Sequence, residues 1–165
     1  MPVICRDEIK EGYVNTQGVR HDELSPDTNG VATDLFFRLV GHYLAGEVSI
    51  VIEAAFQHRV WEPRLPAILG LADASMIICS ADAATTSSRP IRRGLEYPER
   101  EFYHGDNRVV HFKKTGEVLT PAGYEEPNFD MPTLKVWTEE GYSPTLDAIV
   151  DEIRSGLTTR TAAPE

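Results

Sequence analysis

Four short apolar runs separated by helical patterns limit this fold more than any other feature of the chain. Val3-Ile4-Cys5, Val48-Ser49-Ile50-Val51-Ile52, Met76-Ile77-Ile78-Cys79 and Thr133-Leu134-Lys135-Val136-Trp137 are short and mostly β-branched or aliphatic. They read as strands, the second and third of them buried. Pro132 suits a strand entrance, where its missing N–H is no loss. Between the runs lie helix signals. A short helix is expected near Asp7–Glu11, then a loop over Val14–Asn29 punctuated by Gly18, Pro26 and Asn29-Gly30. Val31, Leu35, Phe36, Leu39, Val40, Tyr43 and Leu44 recur at helical spacing up to Gly46. Trp61, Leu65, Ile68, Leu69 and Leu71 suggest another helix, beginning or bending near Glu62 because Pro63 and Pro66 intervene. The last helix has Ser143 as N-cap, Pro144 in its first turn, an apolar face of Leu146, Ile149, Val150 and Ile153, and Gly156 as C-cap. Leu157–Glu165 is expected to fray.

Strands alternating with helices predict an α/β domain, a parallel sheet with helices on both faces. Ligands in such folds bind beyond the carboxyl ends of the strands. Here those ends are Arg6-Asp7, Glu53–Phe56, Ser80–Asp82 and Thr138–Glu140.

A length of 165 residues, 41% of them hydrophobic and 25% charged, fits one domain with its own core. No apolar stretch reaches the ~18 residues a membrane-crossing helix needs, and Met1–Lys10 lacks the pattern of a signal peptide. The expected location is cytoplasmic. Cys5 and Cys79 sit in apolar runs as small hydrophobes, so a structural disulfide is not expected. The histidines show no zinc-ligand spacing. A net charge of −10 repels polyanions and argues against nucleic acid. The charge is uneven, however. From Arg89 to Lys114 seven basic residues face four acidic ones, a local excess of +3 that leaves −13 on the rest. Such an island suits a small phosphorylated ligand, since guanidinium groups donate paired hydrogen bonds to phosphate.

Asp7 ends a strand directly before a helix. It is either a helix cap or a carboxylate able to take a proton from an attacking hydroxyl. Glu53 ends the second strand, either as an ordinary acidic terminus or as a residue that organises a metal. Arg89, Arg92, Arg93 and Arg100 fit either a solvated, salt-bridged helix or a phosphate-binding element.

Three segments carry a family resemblance: Val3-Ile4-Cys5-Arg6-Asp7-Glu8-Ile9-Lys10, the Ser49–Phe56 strand and its end, and Pro132-Thr133-Leu134-Lys135-Val136-Trp137-Thr138-Glu139-Glu140-Gly141-Tyr142-Ser143-Pro144. In this order they resemble small kinases of the P-loop NTPase superfamily (AAA-type), of the polynucleotide-kinase, zeta-toxin and antibiotic-phosphotransferase kind. The resemblance runs from Met1 to about Gly156, with a lid at about 89–106 and a flexible tail at 157–165. It implies ATP-dependent phosphoryl transfer to a small-molecule or nucleotide hydroxyl, with Mg²⁺ and ATP as cofactors. By the same resemblance Asp7 is the base, Arg92 and Arg100 are catalytic, and Arg6 and Lys10 bind the acceptor. Arg89, Arg93, Thr138 and Tyr142 line the ATP site, Glu53 assists Mg²⁺ indirectly, and His104-Gly105-Asp106 is similar to an element downstream of the lid. Trp137 stands where the family usually has Asp, and Ala55 where it has Asn.

The phosphate-gripping Gly-x-x-x-x-Gly-Lys-[Ser/Thr] does not occur: the four lysines are Lys10, Lys113, Lys114 and Lys135, and none follows a glycine. The family's central strand comes with that loop. The expected fold is therefore a three-layer parallel sheet lacking its central first strand, between Val48–Ile52 and Met76–Cys79. The expectation is a start codon further upstream, with about 30 residues of strand, loop and helix between it and Met1. Direct pairing of the flanking strands, or a strand supplied by a partner chain, are the alternatives. Self-association stays open, and the small-molecule acceptor is not identified. As written, the chain is expected to transfer phosphate weakly or not at all. A non-catalytic ligand-binding or regulatory relative is the second reading, and a nucleic-acid binder ranks last.

Overall fold

The computed structural model describes residues 1–120 and 123–156. The expected fraying of Leu157–Glu165 falls outside them. The elements run β1 (Val3–Cys5), α1 (Arg6–Gln17), α2 (Thr28–Ala45), β2 (Val51–Glu53), α3 (His58–Trp61), α4 (Leu65–Leu69), β3 (Met76–Ser80), α5 (Ala83–Glu96), α6 (Arg100–His104), α7 (Asn107–Thr115), β4 (Thr133–Trp137) and α8 (Leu146–Arg154). A single 3₁₀ turn, His21–Glu23, connects α1 to α2.

The four strands form two parallel pairs. Val3, Ile4 and Cys5 register with Val51, Ile52 and Glu53. Met76 through Ser80 register with Thr133 through Trp137. Strands β2 and β3 are not hydrogen-bonded to each other, so the pairs do not merge into one sheet. Each pair needs helical crossovers, because parallel neighbours cannot be joined by a tight turn. Helices α1 and α2 lead from β1 to β2, and α5, α6 and α7 lie between β3 and β4.

The larger core lies around α2, whose Phe36 is fully buried and whose Val40 is nearly so. Phe36 meets Phe37, Phe56 and Trp61 edge-on, with ring centroids 5.1, 5.6 and 6.3 Å away. Ile4, Leu44 and Ile68 complete this cluster. Each such side chain contributes about 1.5–3 kcal/mol when buried. Ile78 and Val136 of the second strand pair are buried too, as are Ile91 of α5 and Val109 of α7.

Several boundaries differ from the sequence reading for local reasons. Helix α1 runs on to Gln17, through part of the expected loop, and ends where Gly18 turns left-handed and its N–H reaches Val14 and Asn15 carbonyls at 3.2 Å. The expected helix around Leu65 is split into α3 and α4 by the stretch holding Pro63. At α8 the cap is Thr145, which accepts from the Ala148 N–H, and not Ser143. Ser143 instead exchanges backbone hydrogen bonds with Trp137 at 2.8 and 2.9 Å. Cys79 is exposed, unlike the small buried hydrophobe expected. Among the described residues no helix is long and apolar enough to cross a membrane.

Candidate active site

The phase of α5 decides which arginines can meet. Ser87, Ile91 and Gly94 form its buried stripe, and Gly94 packs so closely on Val109 that a Cβ there would lie 2.6 Å from Val109 Cγ2. Helices α5 and α7 therefore touch backbone against side chain. Successive helical residues point about 100° apart, so Arg92 and Arg93 on either flank of the seam cannot face the same way. Arg93 faces a cleft of about 230 Å³. Arg92 faces a separate apolar groove of about 450 Å³, with Ile91, Leu95 and Phe112 in its wall.

The cleft gathers residues from distant parts of the chain. Asp7 comes from the first turn of α1, Ala55 from just beyond β2, Arg93 and Gly94 from α5, Arg100, Glu101 and His104 from α6, and Asp106, Arg108 and Val109 from the start of α7. Asp7 is half exposed, and its Oδ1 accepts from Arg6 Nη1 at 3.2 Å. With Glu8 it places negative charge in the first turn of α1, where the unpaired amides favour it.

The far wall is held by ion pairs. Asp106 caps α7, accepting from the Arg108 N–H at 3.0 Å and from that residue's guanidinium at 3.0 and 2.8 Å. Burial works to raise the Asp106 pKa, but these bonds and the Arg108 charge outweigh it and hold the carboxyl below its ordinary range. Glu101 takes a hydrogen bond from Lys113 at 2.7 Å, with Arg20 at 3.5 Å. The Lys113 bond is the main cause of the lowered Glu101 pKa. His104 Nε2 lies 2.7 Å from Glu11 Oε1, fastening α6 to α1.

Of the residues singled out in the sequence, Asp7, Ala55, Arg93, Arg100, His104 and Asp106 come together here. The others do not. Arg6 joins α1 to the start of α2, its Nη2 donating to the Asn29 carbonyl at 3.2 Å and to Asn29 Oδ1 at 3.0 Å. Lys10 is buried rather than open to a ligand. Desolvation lowers its pKa, and the nearby Arg6 charge pushes the same way. Arg89 is spent on the end of β4, donating to Thr138 Oγ1 at 3.0 Å, to the Thr138 carbonyl, and to the Glu139 carbonyl at 3.2 Å. Thr138 itself bonds Ser80 across the strand ends. Tyr142 is exposed. Arg92 lies 3.9 Å from Glu96 on the groove side.

Glu53 ends β2, where its Oε2 accepts from Cys5 Sγ at 2.9 Å. The two residues are register neighbours across the strand pair. Burial, then this bond, raises the Cys5 thiol's pKa. A lone carboxylate fits the way Mg²⁺ is commonly held, by one or two carboxylates plus phosphate oxygens and water. Among the described residues no three His, Cys, Asp or Glu side chains are grouped as a metal cage. Arg108 lines the cleft and Glu11 holds His104 beside it, and the sequence reading gave neither a role of its own. The signals for Arg108 were its membership of the 89–114 basic island and its place two residues after a cap-type Asp.

Among solved structures the chain is similar to that of a "putative kinase" from Chloroflexus aurantiacus J-10-fl, with a TM-score of 0.71 and 18% identity over 96% of this chain and 85% of that one. What they share is a fold. It is an α/β one with short parallel strands. No family profile matches the chain. No curated protein matches it either.

Proposed function

We propose that these residues form the acceptor-and-lid part of an ATP-dependent phosphotransferase acting on a small-molecule or nucleotide hydroxyl. The observation that carries this reading is the meeting of Asp7 with Arg93 and Arg100 in one cleft, in a chain with the fold of the Chloroflexus protein. Asp7 accepts the proton of the attacking hydroxyl, for which a carboxylate within hydrogen-bond reach is required. Arg100, and Arg93 in place of Arg92, bring positive charge to the cleft beside Asp7. Phosphoryl transfer relies chiefly on such positioning and electrostatics. Glu53 supplies one carboxylate toward Mg²⁺. Residues 89–106 act as the lid of a single domain spanning 1–156.

The donor side comes from outside these 165 residues. No Gly-x-x-x-x-Gly-Lys-[Ser/Thr] is present, the β1–β2 and β3–β4 pairs remain separate, and the matched region leaves part of the Chloroflexus chain without a counterpart. A strand joining β2 to β3 and carrying a phosphate cradle would meet all three observations. Without it the chain binds ATP weakly or not at all. The second reading, a non-catalytic ligand-binding relative, is favoured by the missing cradle and by the exposed Trp137 where the resemblance expects Asp.

Translating the DNA upstream of the Met1 codon in frame separates the two. A Gly-x-x-x-x-Gly-Lys-[Ser/Thr] ahead of any stop supports the enzyme, and in that longer protein Asp7→Asn should abolish transfer from ATP. An immediate stop, with no transfer activity in the 165-residue chain, supports the binding module.

A further inference from the structure

Charges around the cleft are unevenly matched. Every acid in its wall already has a cation: Arg6 for Asp7, Lys113 with Arg20 for Glu101, and Arg108 for Asp106. Two guanidinium groups, those of Arg93 and Arg100, line the same cleft and have no acid within ion-pair distance among the described residues. What sets them apart from the chain's other arginines without an acid partner is that both line one cleft. Arg89, on the same helix, shows the contrast, since three oxygens at the end of β4 absorb its hydrogen bonds.

The two unpaired arginines are held in place. Gly94 against Val109 fixes the turn of α5 next to Arg93. Arg100 opens α6, which is tied to α1 through His104 and Glu11 and to α7 through Glu101 and Lys113. The side chains thus rise from anchored backbones, and guanidinium groups bind oxyanions with paired, charge-assisted hydrogen bonds.

We infer that the cleft's ligand is itself an anion: a small hydroxylated phosphate monoester or carboxylate whose charged end lies between Arg93 and Arg100 and whose hydroxyl lies toward Asp7. The inference deepens the phosphotransferase reading by giving the acceptor's chemical class, and it rests on that reading only for the fate of the hydroxyl. Anion binding needs no phosphate cradle, so the 165-residue protein should display it. A volume of about 230 Å³ suits a three- to six-carbon acid better than a whole nucleotide, given that ligand sites for larger molecules commonly run to about 300–1,000 Å³.

The test is calorimetric titration of the 165-residue protein with glycerol 3-phosphate, glycerate, inorganic phosphate and neutral glycerol. The two hydroxylated anions should bind saturably, inorganic phosphate more weakly, and glycerol not at all. Arg93→Gln and Arg100→Gln should each weaken glycerol 3-phosphate by about tenfold or more, the usual loss when a charge-assisted hydrogen bond is removed. Arg92→Gln, on the same helix but facing the groove, should change it by less than about twofold. Binding should also fall as salt rises. Equal losses in Arg92→Gln and Arg93→Gln, or glycerol binding as well as its phosphate, would overturn the inference. Circular dichroism of each variant separates lost binding from lost folding.

Failure of the two ideas looks different. Anion binding without phosphoryl transfer in any longer form removes the enzyme and keeps the site. Transfer to neutral alcohols, with no anion binding, does the reverse.

Discussion

Replacing Gly94 by alanine should destabilise the protein, although alanine is the better helix former. The added Cβ would lie 2.6 Å from Val109 Cγ2 and 3.0 Å from Cγ1, against an ordinary carbon contact of about 3.5–4.0 Å. Val109 is buried and β-branched, so in a helix it has one strongly preferred side-chain rotamer and cannot turn away cheaply. Helices α5 and α7 must therefore part by roughly 1 Å, a strain that in overpacked cores costs about 1–3 kcal/mol. Removing a glycine from a helix returns about 1 kcal/mol. The net expectation is a loss of up to about 2 kcal/mol, seen as a lower urea midpoint with an unchanged slope. Val109→Ala alone should also destabilise, by leaving a cavity. In the double variant the new methyl occupies the vacated space, so a double-mutant cycle should show favourable coupling of about 1 kcal/mol or more. If Gly94→Ala proves more stable than the parent by about 1 kcal/mol, or the coupling falls within about 0.5 kcal/mol of zero, the α5–α7 seam is not the tight contact that sets the cleft.

Three further outcomes are expected. His21 has its pKa lowered by burial first and by the neighbouring Lys10 charge second, so its neutral form contributes stability that is complete above the unfolded histidine value of about 6.5 and is lost as pH falls toward its lower folded value; the thermal midpoint of His21→Gln, compared with the parent between pH 8 and 5, should show a smaller acid-side decline. Asp82 caps α5, accepting from the Thr85 N–H at 2.6 Å, and that bond holds its carboxyl below the ordinary value; Asp82→Ala should lower the thermal midpoint at pH 7, with the difference vanishing in acid as the native carboxyl takes up a proton. The exposed Cys79 should react with a thiol reagent before Cys5, whose thiol is pushed up by burial and its bond to Glu53, and mass spectrometry of the singly labelled protein identifies the site.

The fold was legible wherever one periodicity ran unbroken. Helix α2 presents Ala32, Phe36, Val40 and Leu44 at intervals of four, all buried, and β4 has the bounds its sequence suggests. A boundary was lost at α8, where the sequence pointed to Ser143 as the cap. Ser143 is taken up by its pairing with Trp137, and Thr145 caps the helix instead. Residues Val14 to Gln17 read as loop because their intrinsic preference for helix is modest, yet α1 packs against α2 and carries them along. The cleft was legible in part. Asp7 stands at a strand end in the sequence itself, but the choice between Arg92 and Arg93 depends on helix phase, fixed here by a glycine meeting a valine from another helix. Buried Lys10 shows the same limit, since α1 packs against both α2 and α6, tertiary contacts that no local pattern encodes.

Titration of the 165-residue protein with ATP, in the presence and absence of Mg²⁺, bears most directly on the central claim that this chain carries acceptor-side chemistry without its donor-side partner. The account predicts no saturable binding at micromolar ATP under either condition. Micromolar Mg²⁺-dependent binding would contradict it, because the phosphates would then be held without the cradle that the account assigns to residues outside these 165.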